Sequence, residues 1–456
     1  MRRSFVLTLA SLCVLLAQEA NQGTITGFVY DQTQAVVPNA EVVVTSQATG
    51  QVRTVRATQE GVYTVVALQP GAYRVRASAA GFKSVEQRDI LLNVGASLRI
   101  NFHLEVGAVT ETVTVESAAP VLKTETGEIS TIVSGTQVTE IPINGRNFTQ
   151  FLALGTGVVS QQTGRQMGLG QEGNPLMAVH GGRISMNKYT YDGTLAMDTG
   201  GNRGLDLFPP MEAIGEVRVQ KSNYGADAGG FGYGIVNIVT RAGTQQYHGD
   251  VYEYFRNDKL DSRNFFANQR QSIRLNNFGY TFGGPFHIPG KYNTSRSKDF
   301  FFWSQSSARR IGPQINSFTT PPIGVFTALV PTPAQRRGDF SGGSAIRDPN
   351  GQPYAGNVIP PSQLDPNAVL LINTFYPLPN RAGAQNFVHN TRSFTRYREE
   401  LVRWDHNFSE RWMWTVRYAQ DTWYQDQDIK RPGNSPLPTF PNLFGKPGRN
   451  MTTKLT

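Results

Sequence analysis

The sequence predicts a mostly β protein, and three observations support that fold class. Glycine and proline number 46 and 26 in 456 residues, which is typical of a chain with many turns. Apolar and polar residues alternate over many short segments, the pattern of half-buried strands. Aromatic residues make up 11% of the chain and charged residues 17%, a balance that argues against disorder. This length leaves room for two to four domains.

The charge of the chain is positive but dispersed. Lys and Arg outnumber Asp and Glu by 43 to 34, and no run of five or six like charges occurs, so we expect no nucleic-acid partner. The six histidines include no pair at i, i+4 spacing, and no G-x-S-x-G motif is present. We therefore expect no enzyme activity, catalytic residue, cofactor or metal site. Asp426 and Asp428 form a D-x-D that we interpret as a solvated loop rather than a metal site.

Residues 1–20 are predicted to be a signal peptide. Arg2 and Arg3 precede the apolar run 5–17, which is too short for a stable transmembrane helix. Cleavage near residue 17 or 20 would remove Cys13, the single cysteine, and with it any disulfide or thiol chemistry. A lipid anchor on Cys13 is the alternative, although bulky Leu12 precedes it. No later segment has 18 consecutive apolar residues, so we expect that any membrane-spanning part of the mature chain would consist of strands.

Residues 22–105 read as an all-β sandwich. Tyr73, Val75 and Ala77 alternate with polar residues in AYRVRASA, so one face of that strand is apolar. The strands that the pattern predicts are 24–30, 40–46, 51–57, 62–67, 72–79, 85–92 and 96–104.

This segment resembles the carboxypeptidase regulatory-like domain, a transthyretin-like β-sandwich with a carbohydrate-binding-like fold. The landmarks G-x-V-x-D, G-x-Y and L-x-P-G-x-Y lie at Gly27, Asp31, Gly61, Tyr63, Leu68, Pro70, Gly71 and Tyr73. The resemblance implies no catalysis. We interpret the landmarks as turn glycines and buried aromatics, with a sugar-binding site as the second interpretation.

Residues 106–120 are predicted to be a linker with a short β segment. Glu111, Thr112, Val113, Thr114 and Val115 (ETVTV) resemble a TonB box, the segment that pairs with a TonB-type energy-transducing protein. An extended strand can add to another protein's sheet edge by main-chain hydrogen bonds. One more strand of the sandwich, or a plain linker, is the alternative.

Residues 121–244 combine three landmarks that resemble, in this order, the plug domain of TonB-dependent receptors of the Oar-like subgroup. TEIPINGRNFTQFLAL has a turn and then an apolar stretch that suits a short helix. VHGGRISMNKYTYDGT predicts a strand ending at the turn pair Asp192-Gly193. Strands at 216–220 and 235–241 flank a glycine-rich bend. An α+β plug domain is the fold that this resemblance implies.

The glycines of that bend are expected to adopt positive φ and to pack closely against other backbone. They are Gly225, Gly229, Gly230, Gly232 and Gly234. Arg146, Arg183 and Arg241 have two interpretations, as partners of carboxylates on a surrounding barrel wall or as surface arginines.

Residues 245–456 are predicted to hold the first strands of a transmembrane β-barrel, five or six in number. Trp412, Trp414, Val416 and Tyr418 alternate with Arg411, Met413, Thr415 and Arg417. Phe278, Tyr280 and Phe282 alternate with small or polar residues in the same way. Such stripes suit a barrel whose aromatic face meets lipid and whose polar face meets the lumen. A tight turn at Ser409-Glu410 joins strands 398–408 and 411–424.

Proline-rich residues 309–394 are predicted to be a long extracellular loop. A plugged barrel of about 22 strands needs at least ~220 strand residues, more than the segment offers. The sequence also stops at Thr456 without a terminal aromatic residue. We therefore expect a fragment or a truncated gene product with an incomplete barrel.

The resemblance implies an outer-membrane receptor that takes up a scarce solute with energy from the TonB system. The expected partners are a TonB-type energy-transducing protein, outer-membrane lipid, and an unknown small solute or oligosaccharide. The expected location is the outer membrane, with the N-terminal domain in the periplasm. The alternative function is a surface carbohydrate-binding or adhesin-like protein without transport.

Overall fold

The computed structural model describes twelve stretches of the chain. They are residues 22–108, 112–116, 126–143, 145–160, 176–197, 205–225, 232–262, 270, 273–312, 325–390, 393–427 and 442–455. The predicted signal peptide at 1–20 therefore lies outside the described residues. Within them, no helix is both long and apolar enough to cross a bilayer.

Two sheets form the N-terminal sandwich. Its strands are β1 Gly23–Asp31, β2 Glu41–Ser46, β3 Val52–Arg56, β4 Val62–Leu68, β5 Gly71–Ser78, β6 Ser84–Leu92, β7 Ser97–Arg99, β8 Phe102–Leu104 and β9 Thr112–Glu116. One sheet has the order β4-β1-β7 with β8 also paired to β1, and the other has the order β3-β2-β5-β6-β9. Side chains from both sheets, including Ile25, Val44 and Val75, form one core. The six strands predicted between residues 24 and 92 are confirmed, with ends that differ by at most one residue.

The predicted strand 96–104 is instead two short strands, β7 and β8. The interruption lies where Gly27 of β1 approaches Ile100 so closely that an added Cβ would overlap the Ile100 carbonyl. There the Asn101 side chain replaces a ladder bond, because its Oδ1 accepts from the Phe28 N–H at 3.0 Å. The close approach explains why position 27 requires glycine.

Two landmark tyrosines are buried structural residues. The Tyr63 hydroxyl donates to the Ile100 carbonyl at 2.8 Å, and the Tyr73 hydroxyl donates to the Gln69 carbonyl at 2.7 Å. Burial raises the pKa of both phenols above the ordinary value of about 10. Their positions agree with the interpretation of the landmarks as buried aromatics.

A second domain, here called the central domain, follows from residue 126 to about residue 243. Its elements are β10 Ile129–Ser134, α1 Gly135–Glu140, α2 Thr149–Leu152, β11 Val158–Ser160, β12 Met177–Val179, a 3-10 turn Ile184–Met186, β13 Lys188–Tyr191, β14 Thr194–Leu195, a 3-10 turn Met211–Ala213, β15 Ile214–Ser222 and β16 Ile235–Thr240. The main sheet has the order β10-β15-β16-β13-β14, and β11 pairs with β12. Ser134 begins α1 with a capping box, in which it and Gln137 exchange side-chain to backbone hydrogen bonds.

Three sequence expectations for the central domain are confirmed. The short helix predicted after Gly145 is α2, and the two strands flanking the glycine-rich bend are β15 and β16. Asp192 and Gly193 form the turn between β13 and β14, both with positive φ. This is the pattern of a two-residue hairpin turn of the primed type.

The glycine-rich bend is described in part. Gly229 and Gly230 lie outside the described residues, and neither Gly232 nor Gly234 has the positive φ that we expected. The expected close packing is present at Gly234, where an added Cβ would lie 2.6 Å from a methyl carbon of Val179. The glycine there serves the contact between β16 and β12.

The C-terminal part is one antiparallel sheet with a long excursion. Its elements are β17 His248–Asn257, β18 Arg274–Pro285, β19 Asp299–Gly312, β20 Val325–Ala328, 3-10 turns Gln335–Arg337, Ala355–Asn357 and Pro361–Gln363, α3 Pro366–Phe375, β21 Phe387–Asn390, β22 Ser393–Asn407, β23 Met413–Gln427 and β24 Asn442–Leu455. The six main strands are ordered β17-β18-β19-β22-β23-β24. Five or six strands were expected, and six are present in this sheet among the described residues; that they begin a transmembrane barrel stays a prediction.

The two faces of this sheet are reversed relative to a soluble sandwich. In β19, Ser304, Ser306 and Arg310 are buried, whereas Trp303 is 42% exposed. In β23, Arg417 is fully buried and Tyr418 is 38% exposed. The inner face packs on the central domain and combines these polar residues with apolar ones such as Phe302 and Leu401, whereas the outward face is rich in exposed aromatic residues.

The segment between β19 and β22 is a folded unit. The sheet strands extend farther into the predicted loop 309–394 than expected, to Gly312 and from Ser393. Within the excursion β20 pairs with β21, and α3 begins at the N-cap Asp365. The buried Arg336 guanidinium donates to the carbonyls of Ile372 and Tyr376, which ties the start of the excursion to the end of α3.

Candidate functional site

Strand β9 contains four of the five residues of the candidate TonB box. Glu111 lies outside the described residues, and Thr112 to Val115 lie in β9. This strand pairs in parallel with β6, with Val113 opposite Val85 and Thr114 opposite Glu86. The segment is therefore ordered on the edge of the sandwich, which is the alternative that the sequence left open. Its role as a TonB box stays a prediction.

The sandwich contacts the central domain through Val94, in the turn after β6. The Val94 N–H donates to Glu216 Oε1 at 3.1 Å, and its carbonyl accepts from the Arg218 guanidinium. Glu216 and Arg218 both belong to β15 and are buried. The same Arg218 pairs with Glu128 at 2.7 Å, at the start of the central domain. We call these contacts the Val94 joint.

The sandwich also reaches the C-terminal sheet. Arg53 Nη1 donates to the Arg411 carbonyl at 3.0 Å, in the turn between β22 and β23. The Gln245 N–H, just before β17, donates to the Ala48 carbonyl at 2.9 Å. The sandwich thus contacts the end of the sheet at which the short turn lies.

A buried charge cluster joins the central domain to the C-terminal sheet, and we call it the Asp192 cluster. Asp192 lies at the β13–β14 turn, and its carboxylate accepts from the Thr240 N–H and hydroxyl at 2.8 and 2.9 Å. Arg417 of β23 places its Nε 2.7 Å from Asp192 Oδ2, and Arg403 of β22 places its Nη1 4.0 Å from Oδ1. Two adjacent strands of the sheet therefore converge on one carboxylate of the central domain.

Each arginine of the Asp192 cluster has further partners. Arg403 forms a two-point pair with Asp405 at 2.8 and 3.0 Å and donates to the Thr240 carbonyl at 3.1 Å. Arg417 donates to Thr452 at 2.6 Å and lies over the Tyr191 ring. Burial raises the pKa of the Tyr191 phenol well above its ordinary value. Charged groups buried in this way require partners, because an unpaired buried charge costs several kcal/mol.

A second polar pocket, at the boundary between the central domain and the sheet, surrounds Arg146. Its guanidinium pairs with Glu212 of the central domain and lies 3.6 Å from the centroid of the Tyr254 ring in β17. Asn277 and Glu399 of the sheet also line the pocket. Arg146 therefore faces the sheet, although its carboxylate partner is its own domain's Glu212.

The other two predicted arginines differ in exposure. Arg183 is exposed, as a surface arginine would be. Arg241 is half-buried, and its backbone N–H donates to the Ala213 carbonyl. Sequence reasoning missed Arg403 as a site residue and treated Asp192 as a turn residue alone. The available signal for these site residues was the presence of arginines on the face of the C-terminal strands that otherwise carries small and polar residues.

The described residues contain no group of three or more His, Cys, Asp or Glu side chains that could hold a metal ion. Asp428 lies outside those residues, and the Asp426 side chain is not described.

Two family models match the chain. Residues 239–456 match the outer membrane beta barrel domain, and residues 24–105 match the carboxypeptidase regulatory-like domain. The first match locates the protein in the outer membrane.

The chain is also similar to a curated transporter protein. Over 298 residues the chain is 27% identical to the TonB-dependent transporter Oar of Myxococcus xanthus. The chain is a homologue of that transporter. The match covers 62% of this chain and 27% of Oar, so the chain spans about a quarter of the length of the curated relative.

Solved structures give weaker matches. The outer membrane transporter YddB of Escherichia coli is 10% identical, with 72% of this chain and 36% of that chain covered and a TM-score of 0.42. A putative carbohydrate binding protein from Bacteroides uniformis is 23% identical, with 18% and 40% covered and a TM-score of 0.16. The chain is thus mostly β and similar to an outer-membrane transporter, and it carries matches to an outer membrane beta barrel domain and a carboxypeptidase regulatory-like domain.

Proposed function

We propose that the chain belongs to an outer-membrane receptor that takes up a scarce solute with energy from the TonB system. The observation that carries the proposal is the Asp192 cluster, in which Asp192 of the central domain meets Arg403 and Arg417 of the C-terminal sheet. Charged side chains on the inner face of the sheet hold the central domain, as expected for a plug inside a barrel whose lumen is polar.

The proposal assigns a role to each part of the chain. Residues 22–105 are a periplasmic sandwich, and residues 106–120 are the linker with the candidate TonB box. Residues 121–244 are the plug, and residues 245–456 are the N-terminal part of the barrel, with the excursion 309–394 outside the cell. The tight turn at residues 408–412 and the sandwich contact at Arg411 support a periplasmic end for this side of the sheet.

The proposed partners are a TonB-type energy-transducing protein, outer-membrane lipid and a small solute or oligosaccharide. Lipid suits the exposed aromatic face of the sheet, where Trp412 is 53% exposed. The box supplies a strand for pairing with the transducing protein by main-chain hydrogen bonds. The similarity of the chain to a TonB-dependent transporter supports this assignment.

Deletion of residues 111–115 in the full-length receptor tests the proposal. We expect uptake of solute into cells to be abolished, whereas binding of solute at the cell surface stays unchanged. A length-preserving replacement of the same residues by glycine and serine should give the same result, because strand pairing and not spacing is lost. Uptake at the unaltered level in both variants would show that energy coupling by this segment is wrong.

A second candidate function is surface carbohydrate binding or adhesion without transport. One observation favours it: the rings of Phe28, Tyr30 and His103 stack in a row on the sandwich, with centroids 5.6 and 5.5 Å apart. Aromatic rings of this kind can contact the apolar face of a sugar. Under this candidate, Tyr30→Ala would lower polysaccharide binding by whole cells, and the deletion of 111–115 would change nothing.

A further inference from the structure

The outer edge of β9 is the feature that goes beyond the proposed function. On one side β9 pairs with β6, and on its other side it pairs with no strand in the part of the chain that the structure describes. A strand in this position presents a row of backbone N–H and C=O groups to an incoming strand.

The sequence of β9 leaves this edge open to pairing. Proteins usually protect edge strands with Lys, Pro, bulges or inward charges. The opposite edge of the same sheet, β3, has the sequence VRTVR with Arg53 and Arg56. In contrast β9 reads TVTVE, without proline or a basic residue and with a single charge at Glu116.

Main-chain pairing with β6 holds β9 in an extended conformation before any partner arrives. Val113 is 39% exposed, so burial of this side chain contributes little to the pairing. Fixing the backbone of a free residue costs conformational entropy. A partner that adds to an ordered strand avoids that cost for the box, whereas a partner that first detaches β9 must also break its pairing with β6.

We infer that the energy-transducing partner adds a strand to the outer edge of β9 while β9 stays paired with β6. The sheet of the sandwich then grows from five strands to six. The occupant is an extended strand of the TonB-type protein, because β9 has no proline or basic residue to oppose main-chain pairing along this edge. This inference rests on the proposed function and specifies how its partner docks.

A disulfide between β6 and β9 tests whether β9 must leave. Val85 and Val113 are register partners, and the mature chain is predicted to lack cysteine, so Val85→Cys with Val113→Cys introduces one pair. The probe is the purified periplasmic domain of the host's TonB-type protein, added to the full-length receptor in detergent micelles. We expect oxidised and reduced receptors to bind it with Kd values within about twofold.

The control variant carries Val43→Cys and Thr54→Cys, partners in β2 and β3 at the other side of the same sheet. It should be unaffected by oxidation. Binding that falls tenfold or more in the oxidised β6–β9 variant, and returns on reduction, would overturn the inference.

Hydrogen exchange gives a readout that needs no cysteine. If β9 stays in place, amides of β6 at residues 84–88 keep their protection when the probe binds. Loss of that protection would mean that β9 is released, and would also overturn the inference. In both of these contrary outcomes the partner still binds, so the proposed function survives. A reduced receptor that never binds the probe, together with normal uptake after deletion of 111–115, would instead overturn the proposed function.

Discussion

The guanidinium carbon of Arg417 lies 3.8 Å from the centroid of the Tyr191 ring. One residue belongs to the C-terminal sheet and the other to the central domain, and both are fully buried. The ring covers one face of the guanidinium, and Asp192 supplies the opposite charge beside it. The contact therefore fixes the position of the β13–β14 turn relative to strand β23.

Replacement of Asp192 by Asn tests the importance of this cluster. The amide keeps the size of the side chain and can still accept from Thr240, but it leaves Arg417 without its counter-charge. We expect a loss of about 3 kcal/mol in the free energy of unfolding. Thermal unfolding of the detergent-solubilised protein measures it, with exposed Glu60→Gln as the control. Equal stability of D192N and E60Q would show that the cluster is dispensable.

The Val94 joint predicts a change in hydrogen exchange. Glu216→Ala removes the carboxylate that accepts from the Val94 N–H. A hydrogen bond to a charged group contributes about 1.5–3 kcal/mol, so exchange of the Val94 amide should accelerate by about tenfold or more. Glu140→Ala, at an exposed position on α1, is the matched control. Unchanged protection of Val94 in E216A would contradict the joint.

The two faces of β19 predict opposite labelling. Trp303 is 42% exposed and Ser304 is fully buried, although the two are neighbours in sequence. In a background in which Cys13 is replaced by Ser, so that no other cysteine is present, Trp303→Cys should react with a maleimide that partitions into the bilayer, and Ser304→Cys should not. Mass spectrometry of the labelled protein gives the result. Labelling of S304C alone would reverse our assignment of the lipid face.

Alkaline pH should destabilise the sandwich through Tyr63. Burial raises the pKa of this phenol above 10, the value expected in the unfolded chain. Its contribution is therefore fully present below pH 10 and is lost as the pH rises above that value, because the unfolded state then releases a proton that the folded state retains. Hydrogen exchange of the β4 amides between pH 9 and 11, corrected for intrinsic rates, measures the loss.

Tyr63→Phe provides the comparison for that experiment. The variant leaves the Ile100 carbonyl without its donor and should lose about 1–2 kcal/mol at neutral pH. Its stability should also fall less steeply above pH 10. A pH dependence as steep as that of the natural protein would assign the effect to another group.

Packing at Gly234 predicts a difference between two glycines of the central domain. In Gly234→Ala the new Cβ would lie 2.6 Å from a Val179 methyl carbon, whereas at Gly127 no atom lies within 4 Å. We expect Gly234→Ala to cost about 1–3 kcal/mol through overpacking and Gly127→Ala to be close to neutral. Urea unfolding of both variants tests the difference.

Local patterns predicted most of the fold because each strand carries its own alternation. Tyr73 and Val75 mark the buried face of β5. The Asp192-Gly193 pair marks the β13–β14 hairpin. The division of 96–104 at Ile100 was not predictable in this way, since it depends on Gly27, which is distant in sequence. Strand β19 begins with the run Phe300 to Trp303, in which no polar residue marks the alternation.

The candidate site was less accessible to sequence reasoning. Asp192, Arg403 and Arg417 meet from segments separated by more than 200 residues, so no local spacing connects them. The ETVTV segment resembles a TonB box, and the sequence offers one more strand of the sandwich or a plain linker as alternatives, without indicating β6 as the neighbouring strand. Parallel pairing places no turn residues between the strands, so no sequence signal marks it.

Strand β6 connects two contacts of the sandwich, one at each of its ends, and can therefore transmit force between them. Its first half holds β9, and the turn after its last residue holds Glu216 and Arg218 through Val94. A pulling force on β9 would therefore reach β15 through the folded sandwich as well as along the chain that connects β9 to the central domain. Arg218 also pairs with Glu128, at the point where the chain that follows β9 enters the central domain. Force transmitted through the sandwich and force transmitted along the chain would therefore both reach the Arg218 side chain.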